Sequence, residues 1–209
     1  MKQNHDTRTI LRRATALALA VLLLCTAALG AKLHLEQRAL AARMIRLHVV
    51  ANSDDPADQA RKLDVRDAVL PVIARLTEGC ADVSEARTRL RAGFSEIRAA
   101  AGQALARDHC RAAVTVSLAQ ESFPSRDYQT FSLPAGDYSA LRVTIGAGEG
   151  HNWWCVAFPA LCTAASVEDF TEDAAQAGMT DEQVALTQPG SRRVRFKFRA
   201  LEFIRSLFG

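Results

Sequence analysis

Leu141-Arg-Val-Thr-Ile-Gly-Ala-Gly-Glu-Gly-His-Asn-Trp-Trp-Cys-Val-Ala-Phe-Pro-Ala-Leu-Cys162 is the stretch on which a reading of this chain turns. Its first residues complete a period-two run from Tyr138 to Ile145, the alternation of a half-buried strand. Gly146, Gly148 and Gly150 then form a G-x-G-x-G run, followed by both tryptophans of the chain and two of its five cysteines. No Lys-Ser/Thr follows the glycines, so a phosphate cradle is set aside in favour of a hairpin turn that needs positive φ. Each indole demands a large pocket and a partner for its N–H. Trp153 and Trp154 alternate across a strand, which leaves two readings: both rings in core, or one turned toward a partner.

Working outward, Val114-Thr-Val-Ser-Leu118 and Tyr128-Gln-Thr-Phe-Ser-Leu133 also alternate as strands, and Pro134-Ala-Gly-Asp137 is a turn. Met44 to Ala51 mixes apolar with polar residues and is rich in branched side chains, so it predicts a further strand. Asn52-Ser-Asp-Asp-Pro56 ends that strand, with Asp55 placed to cap a helix and Pro56 to fill its first turn. That helix is expected to run to about Thr77, with Pro71 kinking it near Asp67. A second helix spans about Ser84 to Arg107, with Ala86, Leu90, Phe94, Ile97, Ala101 and Leu105 at spacings of three and four. The expectation is a single α+β domain over residues 44–162 in β-α-α-β-β-β order, an antiparallel sheet with two helices on one face.

Hydrophobic residues make up 49% of the 209, enough for one core of ordinary size. The net charge of +3 sits wholly in residues 1–31, where Lys2, Arg8, Arg12 and Arg13 oppose Asp6. The remainder holds 22 basic and 22 acidic residues, so no nucleic-acid footprint survives. Arg12-Arg13 precedes an apolar run from Ala14 to Ala31, which reads as an export signal oriented by its basic flank. Cleavage before Ala31 and retention as a membrane anchor both remain open. Residues 32–43 form a polar juxtamembrane stretch of helical composition. Residues 163–190 read as an acidic tether and 191–209 as a basic amphipathic tail, either an edge strand or a membrane-surface segment.

Export permits disulfides. Cys155 and Cys162 are close in sequence and are expected to bond. Cys80 and Cys110 lie at opposite ends of the second predicted helix, separated by over about 30 Å at about 1.5 Å per residue, and are not.

Two segments resemble the stage II sporulation protein R family. The first is Arg46-Leu-His-Val-Val-Ala-Asn-Ser-Asp-Asp-Pro-Ala-Asp-Gln59, continuing to Val65-Arg-Asp-Ala-Val-Leu70. The second runs from Phe123-Pro124 through Leu133-Pro-Ala-Gly-Asp-Tyr-Ser-Ala-Leu-Arg-Val143 to Cys162. The Gly-x-Gly-His-Asn-Trp-Trp-Cys-Val core is its most specific part. Pro159-Ala160 stands where the family has a double proline, Ser125-Arg126-Asp127 differs from its usual Thr-Lys, and Pro71 is unusual there. The resemblance implies a protein made in the forespore and exported into the space between two septal membranes. There it would trigger a membrane-embedded aspartic protease of the mother cell, which releases sigma-E from its precursor.

Gly148, Gly150, His151, Asn152, Trp153 and Trp154 are therefore the candidate partner-binding residues. His48, Asn52, Ser53, Asp54, Arg66 and Asp67 are a structural signature. No catalytic residue, metal or cofactor is expected. His151 with Cys155 as base and nucleophile, and His48, Asp54 and Asp64 as metal ligands, are the minority readings. Arg66 and Asp67 are expected to form a buried ion pair with the sheet. The rival functions are an exported hydrolase acting on peptidoglycan and a purely structural septal protein.

Overall fold

A computed structural model describes residues 3–128, 131–161, 174, 175, 178–180, 183, 184 and 187. Its elements run α1 (Gln3–Ala41), β1 (Ile45–Val50), α2 (Pro56–Thr77), α3 (Val83–Ala92), α4 (Phe94–Arg107), β2 (Val114–Phe123), β3 (Arg126–Asp127), β4 (Ser132–Leu133), β5 (Gly136–Ile145) and β6 (Asn152–Phe158). The fold is α+β, and four strands form the main sheet in the order β2-β5-β1-β6.

The sheet is mixed rather than antiparallel. β1 pairs with β5 in parallel, Leu47 opposite Leu141, and with β6 in antiparallel, Leu47 opposite Cys155. Alternation identifies a strand but not its neighbours. What places β1 inside is that all six of its residues are buried, including Arg46 and His48. β1 therefore lies between β5 and β6, and the Gly146–Gly150 segment is not a hairpin turn. It carries the chain across the end of β1.

Three helices, not two, cover one face. The single helix expected over residues 84–107 breaks at Gly93, which ends α3 and begins α4. A Cβ at Gly93 would overlap the side-chain tip of Leu76, so the glycine leaves room for that residue of α2. α3 is capped by Asp82, whose carboxylate accepts from the N–H groups of Ser84 and Glu85. α2 is continuous through Pro71, and Asp55 stands at its N-cap without a side-chain cap bond. Val65, Val69 and Ile73 of α2, Leu90 of α3 and Ile97 and Leu105 of α4 meet Leu47, Val49, Leu141, Val143 and Ile145 in one core.

The other face carries a second core. Leu40 and Ala41 at the end of α1, Met44, Phe123, Phe131, Leu133, Tyr138, Ala140, Val156 and Leu161 pack there with Ala174, Met179 and Val184. Those last three residues belong to the stretch read as a tether, and at these positions it is packed. The strand expected over 128–133 is instead the short β3–β4 ladder, Arg126 opposite Leu133. Residues 191–209 lie outside the described residues.

Leu47 is fully buried on the inner strand, whereas Leu63 of α2 is 40% exposed. Leu47→Ala is expected to lower unfolding free energy by about 2–5 kcal/mol and Leu63→Ala by less than about 1. Denaturant titration of both variants in detergent checks the contrast.

Candidate functional site

Two loops, far apart in sequence, close the same end of the sheet and are tied to each other. The loop after β1 holds Asn52, Ser53 and Asp54; the loop after β5 holds Gly146 to His151. The N–H of Ala147 donates to Asn52 Oδ1 at 2.9 Å, that of Glu149 to the Asn52 carbonyl at 3.1 Å, and that of Gly150 to the Ala51 carbonyl at 3.0 Å. His151 closes the series, its N–H 2.7 Å from Asp54 Oδ1 and its Nδ1 2.5 Å from the same oxygen.

The glycines are where this interlock requires them. Gly146 and Gly148 have φ of +57° and +68°, a region that side chains disfavour. Gly150 is needed for a different reason: a Cβ there would overlap the carbonyl oxygen of Ser53. Both kinds of constraint act on the backbone, so the loop presents a fixed surface.

α2 braces the pair from beneath. Asp58 accepts from Asn52 Nδ2 at 2.8 Å and from Ser53 Oγ at 2.7 Å, and Arg61 adds a contact at 2.9 Å. These bonds hold the Asp58 carboxyl below its usual range, the Asn52 bond contributing most. Lys62 is buried, and its Nζ donates to Gln59 Oε1 at 2.5 Å and to the His151 carbonyl at 3.1 Å. Burial pushes that ammonium down. Bonds from His151 lower Asp54 in the same way as those on Asp58. Asp58, Gln59 and Lys62 were not singled out from sequence. Their signal was the acidic first turn of α2 and a lysine one turn later beside Val65.

The two tryptophans divide between the faces of β6, and each is half-buried. Trp153 packs against the helical core, with the Arg66 guanidinium 5.2 Å from its ring centroid. Arg66 does not pair with the sheet as expected. It bonds its neighbour Asp67 at 2.6 Å and 3.0 Å on the surface. Its guanidinium is thereby turned over an indole, an attractive placement for a cation.

Trp154 points to the second core. Its ring lies 4.0 Å from His48 and 5.0 Å from Phe123, and Arg126 sits 5.5 Å over it. Under this aromatic group lie Arg46 and His48, 0% and 1% exposed. Arg46 donates from Nη2 to Tyr128 Oη at 2.7 Å and stands 4.2 Å over Phe123. Its Nε and Nη1, and both ring nitrogens of His48, have no hydrogen-bond partner among the described residues. His48 Nε2 is 3.5 Å from Glu121 Oε2, but that carboxylate is engaged by Arg142 at 3.0 Å. Burial, then the charges of Arg142 and Arg46, push the His48 imidazole down to about 3, so it is neutral and the Glu121 contact is not an ion pair.

Cys155 is disulfide-bonded, and Cys25, Cys80 and Cys110 are free. Cys162, the expected partner of Cys155, lies outside the described residues. Among the described residues no three His, Cys, Asp or Glu side chains gather as a metal site. The sequence-derived residues thus fall into one assembly of Asn52, Ser53, Asp54, Gly148, Gly150, His151 and Asn152, with Trp153, Arg66 and Asp67 beside it. His48 and Trp154 lie on the opposite face.

The strand-end Asn-Ser-Asp loop and the Gly-x-Gly-His-Asn-Trp-Trp edge strand both lie within a region that matches a class of sporulation proteins. The family model described as stage II sporulation protein R matches residues 41–168, and the chain belongs to that family. It is 39% identical over 118 residues to stage II sporulation protein R of Bacillus subtilis (strain 168). That match covers 56% of this chain and 53% of the relative, so the chain spans about half the length of the curated relative it matches. No solved structure matches. The family carries a sporulation-associated role, and α1 contains a stretch, Arg12–Ala41, long and apolar enough to cross a membrane, as a signal or an anchor does.

Gly150→Ala is expected to cost about 1–3 kcal/mol by forcing the loops apart. Gly102→Ala, in α4 where a Cβ meets nothing within 4 Å, is expected to raise stability by about 0.5–1 kcal/mol. Melting temperatures of the two variants test whether the interlock or mere glycine content matters.

The neutral His48 sets a pH dependence. The unfolded imidazole binds its proton near 6.5 and the folded one only near 3. Between those values the unfolded chain holds more protons, so stability falls as pH drops, by up to about 1.4 kcal/mol per unit. In His48→Leu this slope is expected to flatten between about pH 6.5 and about pH 5, above the carboxylate range. Unfolding followed across that window decides it.

Proposed function

We propose that this chain is an exported signalling protein that activates a membrane-embedded aspartic protease in the mother cell, leading to processing of pro-sigma-E. It acts from the space between the septal membranes, reached through its N-terminal apolar segment, and performs no chemistry of its own. The observation that carries this reading is the interlocked end of the sheet. The two segments that carry the family resemblance lock together there through their loops, and they hold the His151 ring 81% exposed against a half-exposed Asp54. A buried interlock serves stability alone; one that fixes an exposed imidazole, beside Trp153 and Arg66, serves recognition as well. A hydrolase that uses Cys155 as its nucleophile is disfavoured because that residue is 5% exposed and already bonded in a disulfide. The Cys155–Cys162 pairing is part of the proposal.

The backbone bond from His151 to Asp54 survives loss of the ring, so His151→Ala is expected to keep the melting temperature of the parent. Cleavage of the sigma-factor precursor, with chain, protease and precursor co-expressed, is expected to fall roughly tenfold or more. Arg66→Ala and Trp153→Ala extend the same test along the surface. Full precursor cleavage in all three variants would remove this end of the sheet from recognition.

A further inference from the structure

The strand directions give the domain two ends. β1 and β5 run one way, β2 and β6 the other. Ile45, Gly136, Phe123 and Phe158 therefore gather at one end, and Val50, Ile145, Val114 and Asn152 at the other. The ten residues of β5 separate the ends by about 30 Å. The interlocked loops with Asp54 and His151 lie at the second end.

α1 enters at the first end, and it enters rigidly. It is an unbroken helix from Gln3 to Ala41. Its last turns are part of the fold: Leu40 is 1% and Ala41 7% exposed in the second core, and Gln37 Nε2 donates to the Ala135 carbonyl. The N–H groups of Ala42, Arg43 and Met44 bond back to Arg38, Leu40 and Ala41, so the link to β1 is a tight turn. Upstream, Leu17, Leu19, Leu22, Leu23, Leu24 and Leu29 are all more than half exposed, as a lipid-facing surface is. From the end of the apolar run at Ala31 to the docked Gln37 is six residues, about 9 Å of helix. The helix also continues unbroken through Ala28-Leu29-Gly30, so the apolar run and the docked turns are one rod.

We infer that α1 is retained as an anchor and sets the Gly136–Phe123 end of the sheet against the lipid headgroup layer, so that the Asp54–His151 end stands away from the bilayer. The membrane surface is then a second interaction surface of the domain, formed by the ends of β1, β2 and β5 together with Gln37. The inference rests on the export reading for its topology and deepens it. A partner reads the interlocked loops from the side opposite the anchoring membrane.

The test measures pose, not signalling. The full chain, with Cys25, Cys80 and Cys110 replaced by alanine, is reconstituted in phosphatidylglycerol/phosphatidylethanolamine vesicles. A fluorophore is attached through Pro124→Cys at the near end or Glu149→Cys at the far end, both exposed positions. With a quencher on the lipid headgroups, the Pro124 label is expected to lose several-fold in intensity and the Glu149 label to change little. A flexible Gly-Ser insert between Lys32 and Leu33 is expected to shrink the difference. Equal quenching of the two labels, or stronger quenching at Glu149, overturns the inference. So does chain recovered from expressing cells that begins at Ala31. Protease activation enters none of these measurements, so the pose and the recognition reading fail independently.

Discussion

Asn52 is the residue on which the arrangement of this domain depends. Its Oδ1 accepts from Ala147, its carbonyl from Glu149, and its Nδ2 donates to Asp58. One side chain and its own peptide group thereby join the end of β1, the start of α2 and the connection from β5 to β6. Without that junction the β5–β6 segment would be a long loop over a sheet end, with backbone groups left to water. With it, β6 is delivered to the far side of β1, and the sheet gains its fourth strand.

The same strand that ends in Asn52 separates two cores of unlike character. Toward the helices β1 presents Ile45, Leu47 and Val49, an ordinary aliphatic layer. Toward the other side it presents Arg46 and His48, which are equally buried. Burial of a guanidinium whose Nε and Nη1 find no hydrogen-bond partner among the described residues is costly. The rings of Phe123 and Tyr138, 4.2 Å and 5.1 Å from the Arg46 carbon, offset part of that cost, and Tyr128 supplies one acceptor. A neutral histidine avoids adding a second charge. The second layer is therefore held by aromatic–cation contacts where the first is held by close packing.

Much of this was legible in the residues. Period-two runs located β1, β2 and β5, period-three-and-four spacing located α2 and the α3–α4 region, and the glycine–tryptophan segment that holds β6 stood out as tightly specified. Strand partners were not legible, because alternation records which face is buried and says nothing about which neighbour is bonded. Arg46 and His48 alternate with apolar residues as the polar side of a strand would, and the rings that cover them, Phe123, Tyr128, Tyr138 and Trp154, are all remote in sequence. The break at Gly93 was hidden because Leu76, which exploits it, lies on another helix. Of the site, the loop residues were foreseeable from their unusual composition. The bracing by Asp58 and Lys62 was not, because a charged residue on a helix reads as solvated until a loop is found above it.

Adjacent placement of the only two tryptophans has a spectroscopic consequence. Trp153 looks onto the helical layer beside Arg66, and Trp154 onto the aromatic layer beside His48 and Arg126. Intrinsic fluorescence of this protein is thus a sum of two emitters separated by one peptide unit yet immersed in different surroundings. A chain keeping only one indole reports on one side of the sheet alone, so the optical signal can be resolved into the two layers by their own native chromophores.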